Sequence, residues 1–70
     1  MITKLNSRFG ANYVVTTKKD LVEFARNYLN DDELNEMLIK VNNYKNYECV
    51  RDGYLGIERL NKRTYLLELY

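Results

Sequence analysis

Four carboxylates, Asp31, Asp32, Glu33 and Glu36, crowd into one short stretch, and closely paired carboxylates are the material of acid–base catalysis. The same stretch reads as the opening of a helix, where the helix dipole favours negative charge and a capping box consumes one acid, so capping accounts for all four without any catalysis. Histidine, the commonest general base, is absent, and the single cysteine, Cys49, sits in a strand-like run, where a thiol is ordinarily a buried structural group. One cysteine and no histidine leave none of the usual zinc ligand sets. Gly10, Gly53 and Gly56 stand apart from one another, so no phosphate-cradling loop is present. These residues argue against an enzyme and suggest neither a metal nor a cofactor.

Tyrosine offers a different chemistry. Of the seven in the chain, Tyr13, Tyr28 and Tyr65 fall on apolar stripes and read as core residues. Tyr44, Tyr47, Tyr54 and Tyr70 fit no single core face, and tyrosine supplies stiff contact area with a polar tip, the property that enriches it at protein interfaces. These four are therefore expected to be exposed anchors.

The elements that must position these groups follow from patterning. Residues 1–16 suggest a hairpin, with a weakly patterned first strand from Ile2 to Ser7 at a sheet edge, an interruption at Arg8-Phe9-Gly10, and Tyr13 and Val15 alternating with Asn12 and Val14. Thr17 followed by Asp20 marks a helix start, and Leu21, Phe24, Ala25, Tyr28 and Leu29 give one helical stripe. Asn30 followed by Glu33 marks a second start, and Leu34, Met37, Leu38 and Val41 give its stripe. Val22 and Ile39 lie off the stripes and are assigned to helix–helix contact. The turn between the helices is too tight for them to bury both stripes against each other, so both must cover a sheet.

Asp52-Gly53 predicts a hairpin joining Tyr47–Arg51 to Tyr54–Leu60. A further strand begins near Tyr65. Side chains alternate across a strand, so Leu55 and Ile57 share a face with Tyr65, Leu67 and Leu69 only if the intervening loop has an odd number of residues; Asn61-Lys62-Arg63 satisfies this. The opposite face then carries Tyr54, Leu60, Leu66 and Tyr70 with Glu58 and Glu68. It is too apolar to be wholly solvated, so it is either covered by the N-terminal hairpin or used for binding. The expected fold is a single α+β domain over residues 1–70, ordered ββααβββ, with two short helices packed on one face of a small antiparallel sheet.

Formal net charge is +1, but its distribution is uneven: residues 20–36 carry a balance of −5, against +4 before them and +2 after them. An acidic helical layer would steer the domain toward a partner with a basic surface. Helix-dipole complementarity explains the same charges, so both readings stand. The dispersed cations disfavour direct nucleic-acid binding, although a basic rim would form if the loop at Arg8 and the loop at Lys62-Arg63 fell on the same side. No run of about 18 apolar residues or signal peptide is visible, and a lone cysteine fits a reducing cytoplasm, so no membrane association is expected. Nine asparagines and seven tyrosines, with codons rich in A and T, suggest a phage or mobile-element product. The expectation is a non-enzymatic protein-binding module, acting as an inhibitor of a host nucleic-acid-handling or defence protein through Asp31, Asp32, Glu33 and Glu36 and the tyrosines. The alternatives are a nucleic-acid-binding regulator that uses basic loops and tyrosine stacking, and a homodimer joined through an edge strand.

Overall fold

The computed structural model describes residues 2–5 and 10–70. Strands β1 (Ile2–Leu5) and β2 (Ala11–Val15) precede helices α1 (Lys18–Ala25) and α2 (Asp31–Asn42), and strands β3 (Tyr47–Val50), β4 (Tyr54–Arg59) and β5 (Tyr65–Leu69) follow. This is the expected ββααβββ order. Asn6 to Phe9, on which the rest of the first strand and the hairpin closure were expected, lie outside the described residues.

The strands form one antiparallel sheet in the order β1-β2-β5-β4-β3. The last strand is thus inserted at the centre, pairing with β2 on one side and β4 on the other. Its sequence Tyr-Leu-Leu-Glu-Leu, apolar on both faces, suits the central position. β1 lies at one edge, as expected, and β3 at the other.

Register confirms the parity argument. Leu55 stands opposite Leu69, Ile57 opposite Leu67 and Arg59 opposite Tyr65, and the Leu60 N–H donates to the Thr64 carbonyl at 2.8 Å, leaving Asn61-Lys62-Arg63 as an odd-length loop. Asn61 Oδ1 holds that loop by accepting from the N–H groups of Arg63 and Thr64. Arg59 clamps it from below, donating to the carbonyls of Asn61, Lys62 and Val41 and so tying the loop to the last turn of α2.

In the other hairpin β3 ends one residue earlier than expected, and the turn is one residue longer. Val50, not Arg51, stands opposite Tyr54, so the turn is Arg51-Asp52-Gly53, and Gly53 does not adopt the positive φ of a two-residue Asp-Gly turn.

Both helix starts form as their sequences dictate. Thr17 Oγ1 accepts from the Asp20 N–H at 3.1 Å. Asn30 and Glu33 make a reciprocal capping box, at 2.9 and 2.8 Å. α1, however, ends at Ala25 and not at Leu29. The Asn27 side chain takes the Phe24 carbonyl, and Asn30 must be extended to cap α2, so the chain leaves the helix early. Leu29 still reaches the core, but Tyr28 is 44% exposed, contrary to its expected core role.

The core lies between the helices and one sheet face. Leu21, Ala25, Leu34, Met37 and Val41 from the helices meet Val15, Tyr47, Leu55, Ile57, Tyr65 and Leu67 from the strands. Val22, assigned to helix–helix contact, packs against this cluster, whereas Ile39, given the same assignment, is 65% exposed. No helix among the described residues is long and apolar enough to cross a membrane.

Candidate functional site

The four tyrosines expected as anchors go to three different places. Tyr47 is 4% exposed, because the β3–β4 register sets it opposite Ile57 on the helix-bearing face, and it is therefore part of the core and not an accessible anchor. Burial also pushes its phenol up to about 12, with the nearby Cys49 and Glu33 adding to the effect. Tyr44 follows α2 in the left-handed region at φ 57, where its N–H caps the Val41 carbonyl and the next N–H, from Lys45, caps Lys40. Its exposed ring stacks on the Arg59 guanidinium at 4.3 Å. Only Tyr54 and Tyr70 come together, with ring centroids 5.4 Å apart.

The acids of α2 are likewise divided. Asp31 and Asp32 are exposed at the helix start, and Glu36 pairs with Lys40 one turn on, at 3.6 Å. Glu33 is committed to structure: one oxygen accepts from the Asn30 N–H, while the other receives the Arg51 guanidinium and the Cys49 thiol, the latter at 3.4 Å. This cluster ties the start of α2 to β3. The Arg51 hydrogen bond, then that of the Asn30 N–H, hold the Glu33 carboxyl at about 2, well below its ordinary 4.5. A depressed folded-state value means that Glu33 contributes stability above pH 4.5 and that this is lost as pH falls toward 2. Glu33→Gln, which can still cap Asn30, should therefore lower the melting temperature at pH 7 and flatten its decline below pH 4.5, as read by thermal unfolding monitored by circular dichroism across pH 2–7. An unchanged slope would show that the ion pair contributes nothing.

The second sheet face is where the remaining groups converge. β2 pairs beside β5, so the N-terminal hairpin widens the sheet and does not cover this face, as one expectation had it. Alternation brings Val50, Tyr54 and Tyr70 into one row across the strands. A second row runs Glu48, Gly56, Glu68, Asn12, and a third runs Glu58, Leu66, Val14. Tyr70 is 55% exposed, and Val50, at the edge, is 77% exposed.

Two glycines shape this surface. A Cβ at Gly56 would lie 2.6 Å from the Tyr54 hydroxyl, and one at Gly10 would lie 2.6 Å from Tyr70 Cδ1, so each ring reaches over backbone that carries no side chain. The Tyr70 hydroxyl donates to Glu68 at 2.9 Å, and the Glu48 carboxylate lies near Tyr54. The bond to Glu68 raises the Tyr70 phenol above its ordinary value; burial first, and then Glu48, raises that of Tyr54. Both phenols therefore stay protonated at neutral pH. Sequence reading had placed Glu58 and Glu68 on this face but missed Glu48 and the glycines. The period-2 alternation of β3 held the signal for Glu48, obscured by the misplaced register of its hairpin.

An open cleft of about 410 Å³ adjoins the aromatic row, between the α1–α2 connection and the β3–β4 turn, with Tyr28, Cys49, Arg51 and Tyr70 on its walls. Its one guanidinium is already neutralised by Glu33. No group of three or more Cys, Asp or Glu among the described residues could hold a metal ion. Leu5 and Ala11, which bracket the segment containing Arg8, lie at the Leu69 end of the sheet, opposite Lys62-Arg63; Arg8 itself, on which the expected basic rim depended, lies outside the described residues. Comparison with protein-family models, curated proteins and solved structures finds no match to this chain.

Proposed function

We propose that this domain is a small non-enzymatic protein-binding module that acts by occupying a surface of its partner, and that it does so through the bare face of its sheet and not through the acidic start of α2. One observation supports this reading above the rest: an aromatic pair and several apolar side chains are displayed on a face that no described residue covers. Exposed apolar surface of this kind marks interaction sites. The partner class is a protein with a basic surface, which an inhibitor of this size would block by steric occupation. Asp31, Asp32 and Glu36 would then steer approach without forming the contact.

Site-specific cross-linking separates the two surfaces. p-Benzoylphenylalanine at position 70 probes the sheet face, and the same group at exposed position 39 probes the helical layer. In cells that encode the domain, irradiation should join position 70 to a protein and leave position 39 largely unreacted. Equal yields from both positions, or adducts from position 70 to nucleic acid, would overturn the assignment.

A further inference from the structure

We infer that the bare sheet face takes arginine side chains from a basic segment of the partner protein, with Tyr54 and Tyr70 as the stacking platform and Glu48, Glu58 and Glu68 as the counter-charges; this rests on the protein-binding reading above. The occupant follows from charge complementarity. At the strand positions of this face stand three glutamates and no lysine or arginine, since Lys4 and Arg59 point to the helix-bearing side and Arg51 is turned toward Glu33. A face both apolar and uniformly negative accepts a cation that carries apolar surface, which describes a guanidinium on its three-methylene stem better than a compact, strongly hydrated ammonium.

Geometry supports the same occupant. Glu48 and Glu68 stand on either side of Gly56, two strand spacings or roughly 10 Å apart, and the Tyr54 ring reaches over Gly56 between them, so a guanidinium stacked on that ring has a carboxylate on each side. Glu68 is oriented by the Tyr70 hydroxyl, which uses one of the several acceptor sites a carboxylate offers. The remainder can receive a guanidinium fork, while the ring faces attract its charge. The chain already contains this stack once, in Arg59 over Tyr44.

A second copy of the chain is a poor occupant. Twofold pairing through this face would set three glutamates against three more, and like charges across an interface are repulsive.

The test uses the full chain, labelled with nitrogen-15, and two synthetic probes, hexaarginine and hexalysine. Hexaarginine should shift the amide signals of Glu48, Tyr54, Gly56, Glu68 and Tyr70, and bind more tightly than hexalysine. The triple variant E48Q/E58Q/E68Q should weaken hexaarginine at least about tenfold, two or three exposed charge pairs being removed. Tyr70→Leu should weaken it about threefold by removing an exposed cation–π contact, while the same change should leave hexalysine less affected. The variant D31N/D32N/E36Q should bind as the parent does, and circular dichroism reports whether each variant is folded. Shifts confined to α2, loss of binding in the α2 variant but not the sheet variant, equal affinity for the two peptides, or no binding at millimolar peptide would each overturn the inference. The protein-binding reading falls separately, through the cross-linking result.

Discussion

Leu67→Ala is expected to destabilise the domain by about 3–4 kcal/mol, whereas Leu66→Ala, one residue away, should cost under about 1 kcal/mol. Leu67 is fully buried on the central strand, directly between Tyr13 and Ile57, and touches the layer that both helices cover. Truncating it removes its transfer free energy and leaves a cavity that strands pinned on both sides cannot close. Leu66 faces the other way, onto the half-exposed second face. A chain of 70 residues has a total stability of roughly 4–10 kcal/mol, so the first change removes a large part of it and should lower the melting midpoint by about 12–32 °C. Urea unfolding followed by far-ultraviolet circular dichroism measures both variants. If Leu66→Ala proved the more damaging, the register of β5 would be wrong by one residue.

That comparison bears on how much could be read before the structure was known. Local rules worked where the determining residues are neighbours. Thr17, and Asn30 with Glu33, satisfy nearby N–H groups, so their caps are visible in the sequence, and the parity of the loop at Asn61–Arg63 needed only the alternation of two apolar strands. Non-local choices were not legible. Nothing near Tyr65–Leu69 states that this strand will enter between β2 and β4, yet that insertion decides that the N-terminal hairpin lies beside the sheet and leaves its second face bare. Tyr47 was misjudged because the turn after Val50 takes three residues, and that one-residue difference in pairing was not recoverable from the Asp-Gly signal. The candidate site was half legible: Glu58, Glu68, Tyr54 and Tyr70 could be placed on a common face, but the glycines that let the rings lie down were seen only as isolated turn or strand glycines.

The charge distribution also reads differently once contacts are known. Arg51 and Arg59 are consumed inside the domain, by Glu33 and by three backbone carbonyls, and Lys40 is engaged with Glu36. A chain that is almost neutral by formal count therefore presents acids on its helical layer and on its sheet face, with those cations committed elsewhere. The acidic segment at residues 31–36 divides its labour. Glu33 holds the fold together, and Asp31 and Asp32 are left to shape the field that an approaching partner feels.

Gly10→Ala should cost about 2–4 kcal/mol, from two sources that can be separated. The backbone there sits at φ +80, a conformation that an alanine occupies only with strain. Its Cβ would also meet the Leu69 carbonyl oxygen at 2.0 Å, beside the Tyr70 ring. The oxygen belongs to the central strand and cannot swing aside, whereas the ring can. Removing the ring should therefore restore little: the double variant G10A/Y70A should be nearly as unstable as the sum of its single variants, with a coupling energy below about 1 kcal/mol in a double-mutant cycle. Gly56→Ala is the contrasting case. The three atoms nearest its Cβ all belong to the Tyr54 side chain, at 2.6 to 3.0 Å, so that ring can rotate away and stability should fall less than at Gly10. The consequence at Gly56 is functional, since a displaced Tyr54 leaves the stacking platform and hexaarginine should bind more weakly to a domain that is still folded. Full retention of that affinity in Gly56→Ala would show that the Tyr54 ring takes no part in the contact.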